Sequence, residues 1–514
     1  MDEHAALEIE QSAKLSAELP GSDVLEDETL HTHRTNNALT FALAAQIGKF
    51  VLGLVAMIVF ARTVSPEDFG VFSIGLVIFA LGSLFKDGLS LAIVQRKSLD
   101  EAQKNSLYWT NILVGAVVVA ITLTCAPLFS YFYKAPVLVP VLIGLAVAQS
   151  FVFLGSFHVT MMRRDMRFGI LGLVEQVSTL IAMAIAIIVA LNGGGIWSLL
   201  VAQVLTAVGT AIGAIWKGNY SPGKFEFHKD SLDTITYGKD VTISDVATYI
   251  VRNIDNLIIG LFCGTAQLGF YDRAYSIMQL PMVQMLGPIG GVAHSSLSKT
   301  VSSAQQYIQD ARNAVSLYAV VGMSLAAYLF ICANPLIPVV MGEQWSPSIS
   351  ILQALAPSIY VDSAIMGMCT LLLTNARTPE YLRLKLLAAV IGIASIFAGI
   401  KFGALGVAIA FSISRIPVVI YGLYLCDKVT PLKWQLFCRA LRPAVIGSVV
   451  SSSILFGCTH MEVFQRLNRL QALVVYTVIF FGLFRFIWGR DPDGHERVLA
   501  FRRFLKKRLS RAAT

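Results

Sequence analysis

The chain has 514 residues, 55% of them hydrophobic and only 14% charged, whereas an ordinary soluble domain carries about 25% charged residues. Residues 105–133, 135–162 and 176–216 hold no charge at all, which excludes a string of soluble domains and points to an all-α polytopic membrane protein. The net charge of +8 is unevenly divided: residues 1–36 carry −7 and residues 489–514 carry +5. The remaining excess of bases fits loops beside anionic membrane lipids rather than nucleic acid.

The acidic head, residues 1–36, lacks the basic and apolar regions of a signal peptide and reads as a disordered cytoplasmic tail. Breaks at Gly, Pro and charge clusters then predict about fourteen transmembrane helices, at 38–61, 68–90, 106–130, 137–160, 167–190, 195–216, 240–262, 267–294, 310–334, 348–374, 379–400, 403–425, 438–457 and 470–488. Connections after even-numbered spans are basic (Arg96, Lys97 and Lys104; Arg163, Arg164 and Arg167; Lys217, Lys224, Lys229 and Lys239; Arg377, Arg383 and Lys385). Those after odd-numbered spans hold few bases, so both termini are expected in the cytoplasm. Residues 217–239 read as a cytoplasmic linker and 489–514 as a basic cytoplasmic tail. The seven Cys form no close pair and lie mostly in apolar stretches, so neither a disulfide framework nor a metal site is expected. No nucleotide-binding signature is present, and no connection is long enough for a soluble catalytic domain.

The chain echoes itself. Ser65-Pro66-Glu67-Asp68-Phe69-Gly70 opens the second span, and Thr265-Ala266-Gln267-Leu268-Gly269 opens the eighth. Gly194-Gly195-Ile196-Trp197 before the sixth span answers Gly403-Ala404-Leu405-Gly406 before the twelfth; the two offsets, 199 and 209, nearly agree. Two pseudo-repeated six-helix lobes, 37–216 and 240–425, followed by a terminal helix pair over 438–488, account for both echoes. Recurrence of Gly-rich helix starts in any polytopic chain is the other reading.

Ser65-Pro66-Glu67-Asp68-Phe69-Gly70, Arg252-Asn253-Ile254-Asp255-Asn256-Leu257-Ile258-Ile259-Gly260 and Leu268-Gly269-Phe270-Tyr271-Asp272-Arg273-Ala274-Tyr275, followed by Met278-Gln279-Leu280-Pro281, resemble bacterial polysaccharide exporters. These are the polysaccharide transporter branch of the multidrug/oligosaccharidyl-lipid/polysaccharide flippase superfamily, closest to the colanic acid and succinoglycan types. The resemblance covers residues 40 to 425. It implies fourteen helices in two lobes around a central cavity. It also implies an inner-membrane flippase, not an enzyme and without cofactor, that moves undecaprenyl-diphosphate-linked oligosaccharide to the outer leaflet. Polysaccharide polymerase and assembly proteins would be its partners.

Ionisable groups within apolar spans are expensive and tend to face a cavity or a partner. Lys49, Arg252 and Arg415 lie near the middle of the first, seventh and twelfth spans, with Lys86 and Arg273 nearer span ends. Such bases can replace part of the water shell of an anionic diphosphate, Arg in bidentate fashion, and Gln279 can hydrogen-bond sugar hydroxyls. Local pairing is the structural alternative: Arg252 with Asp255 or Asn256, Lys86 with Asp87, Arg273 with Asp272. Glu175, Asp245, Asp255 and Asp362 could bind a coupling ion or serve helix packing. Pro281 and Pro288 would bend the eighth span, as a moving hinge or a static kink. Export of drugs or lipid II by the same fold, a membrane polymerase or ligase, and a non-transporting scaffold for polysaccharide assembly are the alternative functions.

Overall fold

The computed structural model describes residues 52–96, 98–225 and 228–490. Lys49, the acidic head and nearly all of the basic tail lie outside them. All contacts below fall within the compact unit spanning residues 53–497. The described residues contain helices and no strand. Eleven of their helical segments are long and apolar enough to cross a membrane, which makes the chain a multi-span membrane protein.

In chain order the long helices are α1 (Leu52–Thr63), α2 (Pro66–Gln95), α3 (Glu101–Tyr133), α4 (Leu138–Arg164), α5 (Phe168–Leu191), α6 (Ile196–Lys217), α7 (Leu232–Cys263), α8 (Thr265–Thr300), α9 (Ala304–Val340), α10 (Pro347–Thr374), α11 (Thr378–Gly399), α12 (Gly403–Val429), α13 (Trp434–Thr459) and α14 (Arg469–Arg490). The eleven apolar segments count Thr378–Val429 as one, although a 3-10 turn at Ile400–Phe402 divides it, and do not include α1 or α8.

Several helices run past their predicted spans. α7 begins at Leu232, inside the expected linker: Asp233, Lys239 and Asp240 lower hydropathy, which ends the apolar span, but none of them breaks a helix as proline would. The described linker residues before it fold back on the polar ends of α3 and α4. Trp109 Nε1 donates to Gly223 O (3.1 Å), the His228 amide to Ser106 Oγ (3.1 Å), and the Asn105 amide to Lys224 O.

Local chemistry explains the recurring helix starts. Ser65 caps α2 by accepting from the Asp68 amide (3.1 Å), Pro66 fills the first helical position, and Glu67 and Asp68 sit at the positive end of the helix dipole. Gly264, at φ 89°, makes the corresponding turn into α8. The second echo has one cause as well: Gly195 before α6 and Gly403 opening α12 both take positive φ, 49° and 72°, where a side chain would be strained.

The two halves of the sequence meet backbone to backbone. α2 packs against both α7 and α8. A Cβ on Gly70 would collide with Thr265 O, and one on Gly269 with Pro66 O, so each glycine seats the other's helix start. Towards the other end of α2, Gly88 lies as tightly against Gly238 and Thr242 of α7. Buried residues from α1, α2, α4, α7, α8, α9 and α10 merge into one large apolar core around these contacts. α13 and α14 pack on α9, through Ser316 Oγ to Ala440 O (2.7 Å) and the Tyr328–Thr477 hydroxyl pair (2.9 Å).

Gly70→Ala and Gly269→Ala are expected to cost about 1–3 kcal/mol each by overpacking, read as a lower midpoint of thermal unfolding in detergent. Gly287→Ala, whose Cβ would meet open space, should not lower it.

Candidate functional site

Of the described candidate charges, all but Lys86 and Glu175 lie in the second half of the chain. α7 supplies Arg252 and Asp255, α8 Asp272, Arg273 and Tyr275, α10 Asp362, and α12 Arg415. α8 and α12 both contact α7, and α10 packs along α12, so residues distant in sequence stand on neighbouring helices. Tyr275 lies within Coulombic reach of Asp255, Asp362, Arg415 and Arg252 together.

Asp255 is only 9% exposed. Its carboxylate accepts from the Tyr271 hydroxyl (3.0 Å) and from the Asn256 amide (2.9 Å), which satisfies it within the protein. It therefore does not turn back to Arg252. That side chain is exposed and, among the described residues, forms no ion pair. Asn253 is held by its own helix, donating to Tyr249 O (2.9 Å). The intrahelical network open to Arg252 from spacing alone is thus not formed.

Arg415 is deeply set, its side chain 15% exposed. Its guanidinium lies over the Phe411 ring at 4.0 Å and stands 3.7 Å from Asp362. The distance to the carboxylate exceeds a normal charge-assisted hydrogen bond, and Nε has no hydrogen-bond partner. The cation is neutralised without being saturated. Lys385 on α11 also lies within Coulombic reach of Asp362. Its position near a basic connection disguised it as a loop charge in the sequence.

The remaining candidates are paired locally or lie apart. Lys86 holds Asp87 at 2.6 Å. Arg273 holds Asp272 through two nitrogens, at 2.6 and 3.1 Å, and lies over the Phe69 ring at 4.6 Å. Glu175 faces Arg163 at 3.7 Å near a helix end, while Asp245 and Gln279 are half-buried. Pro281 and Pro288 both lie inside the single helix α8. A cavity of about 530 Å³ opens between α9, α10 and the terminal pair, with Asn334, Gln353, Phe464 and Arg469 in its wall and none of the candidate charges above. Among the described residues no cluster of His, Cys, Asp or Glu could hold a metal ion.

Removing one partner of a deeply set ion pair leaves an uncompensated charge. Asp362→Asn is expected to cost about 3 kcal/mol. The double variant Asp362→Asn with Arg415→Met should recover most of it, as read from unfolding midpoints of the purified protein.

Residues 59–350 match the family model described as polysaccharide biosynthesis protein. The lipopolysaccharide biosynthesis protein WzxC of Escherichia coli strain K12 is 24% identical over 73% of this chain and 77% of its own. The succinoglycan biosynthesis transport protein ExoT of Rhizobium meliloti strain 1021 is 24% identical over 64% of this chain and 67% of its own. Among solved structures, the lipid II flippase MurJ in an inward closed conformation superposes with a TM-score of 0.71 at 15% identity, over 88% of this chain and 98% of MurJ. An inward-facing multidrug resistance MATE family transporter of the MOP superfamily gives 0.57 at 15% identity, over 74% of this chain and 94% of its own. Both likenesses establish the helical fold. With more than half of its length matched by the family model, the chain belongs to the polysaccharide biosynthesis protein family.

Proposed function

We propose that this protein is a flippase that carries undecaprenyl-diphosphate-linked oligosaccharide from the cytoplasmic to the outer leaflet of a bacterial inner membrane. The product would feed a polysaccharide polymerase and its assembly proteins. The reading has the chain cross the membrane fourteen times, as two six-helix lobes and a terminal pair, with both termini inside. The α1–α2 end of the bundle then faces outward, and the strapped linker between α6 and α7 faces the cytoplasm. No covalent chemistry is required, so the work of the protein lies in exposing one site to each side in turn.

The observation that carries this reading is the state of two cations. Arg252 has no anionic partner among the described residues, and Arg415 stands off its carboxylate with an unfilled Nε. A guanidinium with spare donors suits a diphosphate, because its planar fork matches the oxygens and is pre-organised. Binding must also be weak enough to release, and Asp362 supplies the competition that returns Arg415 to its resting pair. Arg273 and Lys86, already held by neighbouring acids, stand at the margin of the path. Lys49 would be the contribution of the first lobe. Asp255, with Tyr271 on one oxygen, is the acid best placed to link a cation or proton to the state of this region. Pro281 and Pro288 would let α8 bend during the exchange.

Reconstitution into vesicles with a labelled undecaprenyl-diphosphate oligosaccharide, followed by leaflet accessibility, tests the assignment. Flipping by the wild type and at least a tenfold loss in Arg252→Ala and Arg415→Ala, about 1.4 kcal/mol or more, are expected. Arg415→Lys, which keeps the charge but loses the fork, should lie between. Full rates in well-folded Ala variants would defeat the role given to the two bases. Movement of lipid II or a cationic drug in place of the saccharide lipid would shift the protein to the alternative export reading.

A further inference from the structure

Two hairpin tips at the α1–α2 end reach across the molecule in opposite senses. Between α9 and α10 a 3-10 turn, Glu343–Trp345, brings Trp345 onto the end of α1. Trp345 is fully buried, and its Nε1 donates to Ala61 O at 2.6 Å. Its ring meets Phe69 of α2 edge-on at 5.3 Å and Phe270 of α8 at 6.0 Å. Gln344 adds a second donor to Ala61 O (2.5 Å) and reaches Val64 O (3.3 Å). Arg62 returns the contact, donating to Val339 O at 2.8 Å.

The mirror arrangement belongs to the hairpin between α3 and α4. Tyr133, the last residue of α3, sends its hydroxyl to Leu257 O in α7 at 3.2 Å. Its ring lies close against Gly260. If α1 to α6 correspond to α7 to α12, the two contacts are one contact made twice. The third hairpin element of each half places an aromatic donor on a late carbonyl of the other half's first helix. The Gly70–Gly269 contact lies between them and is reciprocal in the same way.

The physical cost of parting differs from that of a plain apolar seam. Ala61 O belongs to the last turn of α1, where helix carbonyls lack partners of their own, and the residue is fully buried. A buried carbonyl or indole N–H left unpaired is penalised, so the seam is stable only fully closed or opened to water. That gives a two-state element rather than a continuously deformable one.

The geometry points to a paired aromatic latch: Trp345 and Tyr133, on hairpins related by the internal repeat, jointly hold the outer ends of the two halves together and must both release for the carrier to open outward. The Glu343–Arg469 ion pair ties the Trp345 hairpin to α14, so the terminal pair steadies one latch and not the other. This inference rests on the transporter reading for the word outward.

The test is pulsed dipolar spectroscopy in lipid nanodiscs. Spin labels go on Glu67→Cys and Gln267→Cys, both exposed positions, after the seven native cysteines are replaced. Wild type should show a dominant short distance. Tyr133→Phe keeps the ring and removes only the hydroxyl, whereas Trp345→Phe removes the indole N–H and also shrinks a fully buried ring. Each should raise the long-distance to short-distance ratio about fivefold, and the pair together further. Gln344→Ala provides a milder variant of the same hairpin should Trp345→Phe fail to fold. An unchanged distribution in Gln344→Ala and Tyr133→Phe overturns the latch, and a response confined to one hairpin overturns its paired nature. No substrate enters the measurement, so an open–closed shift without flipping separates the fate of the latch from that of the flippase reading.

Discussion

Backbone lies directly on backbone where α2 and α8 begin, and most of the described architecture follows from that approach. Gly70 and Gly269 leave no room for a methyl group, so the starts of two helices almost two hundred residues apart are set against each other. In an apolar surrounding, hydrophobic driving force between helices is weak, and close backbone approach together with hydrogen bonding does more of the holding. The Ser65 cap, Pro66 and the Gly264 turn fix where each helix starts. The Trp345 and Tyr133 contacts can form because those starts are in register.

The charges of the second half obey a different constraint. They are compensated unequally: Asp255 by a phenol and an amide, Asp272 and Arg273 by each other, Arg415 by a ring and a distant carboxylate, Arg252 by none of these. A fully satisfied buried network rigidifies a fold. Spare donors of this kind stabilise a fold poorly, and in the proposed reading they are what a transiently held anion would use.

Much of this was legible in the sequence. Uncharged runs announced the helices, and the echo between Ser65–Gly70 and Thr265–Gly269 marked the pair of glycines that meet. Arg252, Asp255, Asp362 and Arg415 stood out as charges in apolar stretches. Their pairing was not legible, because Asp255 finds Tyr271 and Arg415 finds Asp362 across helix contacts that no local spacing encodes. Lys385 looked like one more loop base. Trp345 gave no sign, sitting in a short polar stretch between two apolar helices, where its burial depends on the tertiary fold. Helix ends beyond the apolar spans were also hidden, since hydropathy reports the lipid-facing length and not the length of the helix.

The strap between α6 and α7 bears on how α7 can move relative to α3. The chain leaving Lys217 is fastened to α3 at Gly223 and Lys224 and again at His228, and α7 starts four residues later. The connection between α6 and α7 is therefore a pinned joint and not a slack leash. A joint pinned to the end of α3 allows α7 to tilt about a fixed point and resists its sliding along the bundle axis. Rocking, with the largest excursion at the far end of the bundle, is the motion this connection leaves available.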